Sequence, residues 1–148
     1  MSYDGKSYVL LTKLPIPPSS NNQYALVRRG HKTFHVPSKK LTQFQAKMQA
    51  YPYTNPDLYL IHKQAIHQWL KEGYPLEIRC LFFFRRDRIF TKKNTVKRLD
   101  VSNRIKALHD CLCKLLEIDD SLFFRVTAEK VVSEENLEEM TCVEIMPC

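Results

Sequence analysis

The segment Leu76–Phe84, reading Leu-Glu-Ile-Arg-Cys-Leu-Phe-Phe-Phe, restricts the folds open to this chain more than any other stretch. It is rich in β-formers and apolar on both alternating sets, the pattern of a strand buried on both faces or nearly so. Such a strand is central, and it leads straight into a basic loop. Tyr8–Leu14 reads as a first strand, stopped by Pro15, Pro17 and Pro18, with Ser19–Asn22 a polar loop after it. Tyr24–Val27 and Lys32–Val36 predict a hairpin about Arg28-Arg29-Gly30-His31, whose glycine tolerates a positive φ. Ser38 is placed to cap a helix ending near Ala50, and Asp57 a second ending near Lys71, with Pro52 and Pro56 between them. Leu58, Ile61, Ala65, Trp69 and Leu70 form the apolar face of that second helix. Phe123–Val132 and Thr141–Met146 read as later strands, separated by the acidic turn Ser133–Glu139. Hairpins, a central strand and three helices without regular βαβ alternation predict an α+β fold, a small mixed β-sheet with helices packed on one face. With 148 residues, 44% hydrophobic and 11% aromatic, the chain suits one domain over 1–148 whose core needs no disulfides.

The net charge of +7 is unevenly placed. Arg85–Lys106 holds nine Lys or Arg against Asp87 and Asp100, while the rest of the chain is balanced, 14 against 14. Seven of the basic residues fall within the 14 positions Arg85–Arg98, where they repel one another unless phosphates or counterions are present. A polyanionic partner fits this clustering better than a solvated loop does, and Arg85, Arg86, Arg88, Lys92, Lys93, Lys97, Arg98 and Arg104 are the expected DNA-binding residues. Arg28, Arg29 and Lys32 in the hairpin extend that surface or are ordinary turn charges.

The five cysteines are odd in number and show no Cys-x-x-Cys spacing, and Met1–Tyr8 carries no apolar signal region, so reduced thiols in the cytoplasm are expected. Cys111 and Cys113 project about 200° apart on a helix and cannot share a metal. No run approaches the roughly 18 apolar residues of a membrane span, so no membrane partner is expected.

Asp100–Asp120 is where the chemistry gathers. At about 100° per residue, Val101, Ile105, Leu108, Leu112, Leu115 and Leu116 form one helical face, and Ser102, Asn103, Lys106 and Asp110 the other. Asp100 falls at the N-cap, where a carboxylate accepts backbone hydrogen bonds or turns outward to a cation. Asp119 and Asp120 follow the helix, and a strand from Phe123 could fold them back beside the sheet. Carboxylates forced together raise each other's pKa unless a cation neutralises them, and such oxygen ligands suit Mg²⁺ or Mn²⁺. Lys106 is able to orient water, stabilise transition-state charge or protonate a leaving group; alternatively it pairs with Asp110 at i,i+4.

The pattern Asp100-x-x-Asn103-x-x-Lys106-x-x-x-Asp110, followed by Asp119-Asp120, resembles the signature of the RusA-type Holliday junction resolvases, homodimeric Mg²⁺-dependent endonucleases that cut four-way DNA junctions. Leu14-Pro15-Ile16-Pro17-Pro18-Ser19-Ser20-Asn21-Asn22-Gln23-Tyr24 resembles that family's strand, proline-rich loop and tyrosine. The resemblance implies a RusA-like fold, Asp100 and Asp120 as metal-binding and catalytic carboxylates with Asp119 beside them, and Lys106 as the catalytic lysine. Ser102, Asn103 and Asp110 become supporting members of the site. It also implies Mg²⁺, with Mn²⁺ as an alternative, and symmetric hydrolysis of four-way or branched DNA in recombination and repair by a homodimer. One position departs: the family carries a second aspartate two residues after the first, where this chain has Ser102. A hydroxyl is a poorer ligand for a hard cation, so the alternative is a non-catalytic, structure-selective DNA-binding accessory protein.

Two other readings have less behind them. Pro56-Asp57 with Glu77-Ile78-Arg79 approximates a Pro-Asp…Glu-x-Lys nuclease pattern but puts arginine at the lysine. The five histidines lack zinc-ligand spacing: His31 and His35 flank a strand, His62 and His67 are five apart, and His109 projects about 100° from Asp110.

Overall fold

Six strands, four α-helices and a short 3-10 helix, Asp120–Leu122, run through the computed structural model, which describes residues 7–19, 22–134 and 137–148. Met1–Lys6, Ser20, Asn21, Glu135 and Asn136 lie outside the described residues, and with them the extreme N-terminus and parts of the polar loop and acidic turn. In chain order the elements are β1 (Val9–Leu14), β2 (Tyr24–Arg29), β3 (Lys32–Pro37), α1 (Lys39–Thr54), α2 (Pro56–Lys71), β4 (Leu76–Arg85), α3 (Arg86–Ile89), α4 (Ser102–Leu116), β5 (Phe123–Ser133) and β6 (Met140–Pro147). The fold is α+β with a small mixed sheet, ordered β1-β6-β4-β5.

β4 is interior to that sheet. It pairs antiparallel with β6, Ile78 opposite Ile145 and Cys80 opposite Val143, and parallel with β5, Ile78 opposite Val126 and Phe84 opposite Val132. A parallel neighbour cannot be reached by a hairpin, so the chain crosses over through α3, the basic segment and α4 before returning as β5. Burial alternates along β4 where the sequence predicts two covered faces. Leu76, Ile78, Cys80, Phe82 and Phe84 are fully buried, whereas the other face is only half covered and carries ion pairs. There Arg125 approaches Glu77 at 3.7 Å and Arg79 approaches Glu144 at 3.4 Å. The helices cover one face, the arrangement expected from the element order, while Leu81 and Phe83 on the opposite face are apolar but only half-buried.

The helices differ from expectation in caps and faces. Ser38 does cap α1, its hydroxyl accepting from the Leu41 N–H at 3.1 Å, but α1 continues through Pro52 to Thr54. Asn55, not Asp57, caps α2, which opens with Pro56 in the first turn, where proline's missing N–H costs nothing. Of the expected α2 face, Ala65, Trp69 and Leu70 pack against the core beside fully buried Ile66, while Leu58 and Ile61 are 40% and 60% exposed. In α4 the buried stripe is Arg104, Ala107, Leu108, Leu112 and Leu116, and Val101, Ile105 and Leu115 are half-buried. The end of α4 is tied down from α2: Tyr59 Oη donates to the Leu115 carbonyl at 2.6 Å, and the His67 ring lies 2.8 Å from the Leu116 carbonyl. β2 and β3 form a separate two-stranded sheet about Gly30, whose φ of 64° is the positive value expected. No helix among the described residues is long and apolar enough to cross a membrane.

Leu112 is fully buried between α4 and the sheet. Leu112→Ala should cost about 3 kcal/mol, through lost transfer energy plus a cavity, read as a lower urea midpoint at unchanged slope. An unchanged midpoint would show that α4 is not seated as described.

Candidate active site

Asp100 lies at the start of α4 but not at its N-cap, which is Val101. Its carboxylate nevertheless does capping work. Oδ1 accepts from the Ser102 N–H at 2.9 Å and the Ser102 hydroxyl at 2.7 Å, and Oδ2 accepts from the Asn103 side-chain amide at 2.6 Å. The Ser102 hydroxyl, together with backbone N–H groups and the positive charge of Arg104, holds the Asp100 carboxyl below the usual carboxylate range against slight desolvation. Ser102 is thus a donor to Asp100 through both its backbone N–H and its hydroxyl. Lys106 is exposed and forms no ion pair among the described residues, so the i,i+4 bridge to Asp110 is absent.

The other acids gather elsewhere. Asp119 and Asp120 follow the C-terminal end of α4, and together with Asp110 they act electrostatically on Cys113, whose thiol is pushed up to about 11 by burial first and by these three carboxylates next. Asp119 accepts from the Ser121 N–H at 2.8 Å, and bonding from Ser121 keeps its carboxyl low. His109, half-buried against Phe123 with ring centroids 5.6 Å apart, has its pKa lowered by burial, with Asp110 and Asp120 opposing. Between the Asp119–Asp120 pair and Asp100 stands the whole of α4, a helix of 15 residues with Asp110 partway along it. At about 1.5 Å per residue it separates its ends by about 22 Å. The strand from Phe123 does not fold Asp119 and Asp120 back to Asp100, because β5 starts beside Leu76, at the opposite end of β4 from the basic segment. Among the described residues no group of three His, Cys, Asp or Glu could hold a metal, which also leaves the histidine zinc site without support.

The basic segment is folded rather than a plain loop. α3 is followed by a turn in which the Thr91 and Thr95 hydroxyls meet at 2.6 Å, a bridge joins Phe90 to Val96, and Lys97 Nζ donates to the Asp87 carbonyl at 2.5 Å. Arg85, Arg86, Lys92, Lys93, Lys97 and Arg98 are exposed. Arg88 is half-buried and paired with Glu139 at 2.6 Å, and Glu139 also accepts from the Arg85 N–H at 2.9 Å. Arg104 departs from its expected place on the DNA-binding surface. It is 8% exposed, with Nε donating to the Asp100 carbonyl at 3.1 Å and Nη1 to the Pro17 carbonyl at 2.7 Å, and its guanidinium lies 5.5 Å from the centre of the Phe84 ring. An arginine on the inner stripe of a helix packs its stem there and spends its fork on carbonyls, which amphipathic counting cannot reveal. Gln23, part of the Leu14–Tyr24 stretch, is a second buried link. It is 7% exposed and donates to the Pro18 carbonyl at 3.0 Å and the Asn103 carbonyl at 3.1 Å, tying the proline loop to the first turn of α4.

A mixed sheet with a carboxylate poised at a helix start beside clustered cations is the setting of a nucleic-acid-processing protein, and comparison with known proteins makes this specific. The family described as Endodeoxyribonuclease RusA matches residues 15–145, and the chain belongs to that family. Membership implies an endonuclease that resolves Holliday junctions. No curated protein matches the chain. One solved structure, of 2C-methyl-D-erythritol-2,4-cyclodiphosphate synthase, overlaps 95% of this chain and 97% of its own at 13% identity, but its TM-score of 0.35 is too low to bear on fold or function.

Because the folded state depresses the Asp100 pKa, its contribution to stability is present above the unfolded value and is lost as pH falls through the folded one. Ser102→Ala should move the Asp100 pKa up toward the ordinary carboxylate value, measured by an NMR pH titration of the carboxyl carbon. An unmoved titration would mean that the hydroxyl is not what holds it down.

Proposed function

We propose that residues 1–148 form a single domain that cuts four-way DNA junctions as a homodimer with Mg²⁺ or Mn²⁺, in a reducing intracellular setting where its free cysteines remain thiols. The observation that carries this reading is Asp100, exposed at the start of α4, directly after the cationic segment and bonded through its carbonyl to Arg104. Exposed Lys92, Lys93 and Arg98 have no carboxylate partner among the described residues, which suits contacts to phosphates along the arms. Lys106, on the solvent side of the same helix, is placed to meet charge developing on a phosphodiester.

A divalent ion takes hard oxygen ligands, and the aspartates are of the right kind. Mg²⁺ keeps several waters and takes one or two protein carboxylates, and among the described residues no group of three His, Cys, Asp or Glu stands at one place. The length of α4 supports a shared site: in a two-fold dimer with the two α4 helices antiparallel, Asp100 of one copy meets Asp119 and Asp120 of the other. A bound ion supplies charge neutralisation and an activated water. The chain's own contribution is to hold Asp100 ionised and oriented through Ser102 and Asn103, and to present Lys106 and the cationic segment to the DNA backbone.

A second reading is favoured by one observation. Three hydrogen bonds already occupy the Asp100 carboxylate, so metal must compete with them, and a junction-binding protein without cleavage is the outcome if it fails. Incubation with a labelled four-way junction and a matched duplex, with and without Mg²⁺, decides between them. Symmetric metal-dependent nicking of the junction is expected, abolished in Asp100→Asn with junction affinity kept within about threefold, an RT ln factor well under 1 kcal/mol. Tight binding without nicking selects the second reading. Mixing Asp100→Asn with Asp120→Asn should restore nicking of one strand, since a shared site leaves one intact pair per mixed dimer, whereas no recovery places each site within one copy. Ser102→Asp should leave or raise nicking, and a loss would show a site rebuilt around the hydroxyl.

A further inference from the structure

A cavity of about 300 Å³ opens between the proline loop, α1 and the start of α4, with Arg104 in its wall. Its lining contains four cations, Lys40, Lys47, Arg88 and Arg104, together with Gln43 and Phe44, and no carboxylate. Four like charges on one lining repel one another unless an anion lies between them. Both guanidiniums lie over one ring, Arg88 at 5.0 Å and Arg104 at 5.5 Å from the Phe84 centroid. Arg104 has no carboxylate on its guanidinium: its hydrogen bonds among the described residues go to the carbonyls of Asp100 and Pro17. Those bonds use two of five N–H donors. Burial first, and then Arg88, pull the Arg104 pKa below its ordinary value, with Asp100 and Glu139 opposing. Glu139 is ion-paired with Arg88 and acts on Arg104 as well, while Lys40 and Lys47 are exposed with no carboxylate partner among the described residues.

We propose that this cavity is a phosphate-binding subsite, in which Lys40 and Lys47 of α1 with Arg88 and Arg104 seat one backbone phosphodiester of the bound DNA next to Asp100. Arginine's planar fork matches phosphate oxygens, and the two lysines add mobile charge at the rim. The seated phosphate lies beside the carboxylate-bearing turn, since Arg104 bridges the two through the Asp100 carbonyl. The subsite thereby fixes the register of the strand that passes Asp100, a task distinct from the sequence-independent grip of the exposed basic segment. Assignment of the phosphate to DNA rests on the nuclease reading above, while affinity for a phosphate group as such does not.

Two measurements test it, and Lys40→Gln/Lys47→Gln is the variant, because both side chains are exposed and carry no packing. In the first, inorganic phosphate is titrated at constant ionic strength while the Arg Nε–H resonances are followed by NMR, with chloride as control. Saturable shifts at Arg88 and Arg104, weakened at least about fivefold in the variant, are expected for neutralising charge on one anion. In the second, junction affinity is measured against salt, and the variant's log–log slope should be shallower by about 0.9, the loss of one phosphate contact. No saturable shift and an unchanged slope overturn the subsite. Phosphate shifts with an unchanged slope overturn its assignment to the DNA backbone and leave a site for free phosphate. A wild-type chain that binds no junction at all strikes the nuclease reading instead, and the phosphate titration alone then decides the subsite.

Discussion

The parallel pairing of β4 with β5 governs the layout of the molecule. Antiparallel strands can be joined by a short turn, but parallel ones require the chain to return to its starting end, and here α4 makes that return. Everything flanking α4 is thereby assigned an end. Asp100 and the basic segment stand where β4 finishes, and Asp119 and Asp120 stand where β5 begins. Asp100 and the Asp119–Asp120 pair, nineteen and twenty positions on, are held apart by the same crossover that makes the sheet possible.

Arg104 joins three parts of the structure that have little else in common. Its fork bonds the proline loop and the turn bearing Asp100, and its charge lies against Phe84 of the central strand. Gln23 makes a parallel link between the proline loop and Asn103. Buried cations are costly unless paired, and this one is satisfied by carbonyl oxygens and an aromatic face instead of by a carboxylate. The positive charge is therefore not cancelled, and it remains available at the wall of the neighbouring cavity.

At Asp100 capping and coordination compete for the same oxygens. A carboxylate has about four lone-pair positions, and three donors from Ser102 and Asn103 already occupy it. These bonds favour the ionised form, which any metal or proton-transfer role also needs. They also fix its orientation, so that Ser102, standing where the family carries a second aspartate, holds the first.

Much of the fold was legible in the chain. The strand ends before Pro15, the Ser38 cap, the Gly30 turn and the polar and apolar sides of α4 all follow from local chemistry, because prolines, caps, positive φ and helical periodicity act within a few residues. The two apolar faces of β4 misled, since periodicity reports what a side chain tolerates and not whether a helix lies over it. Arg104 was read as a surface cation for the same reason: charge is visible in sequence, but burial depends on the proline loop arriving from 87 residues away. By itself the sequence determined the α+β class, the family and the identity of the aspartates and cations. Only the tertiary structure decided which of them are neighbours, because strand order and the span of α4 are set by long-range pairing that no local pattern encodes.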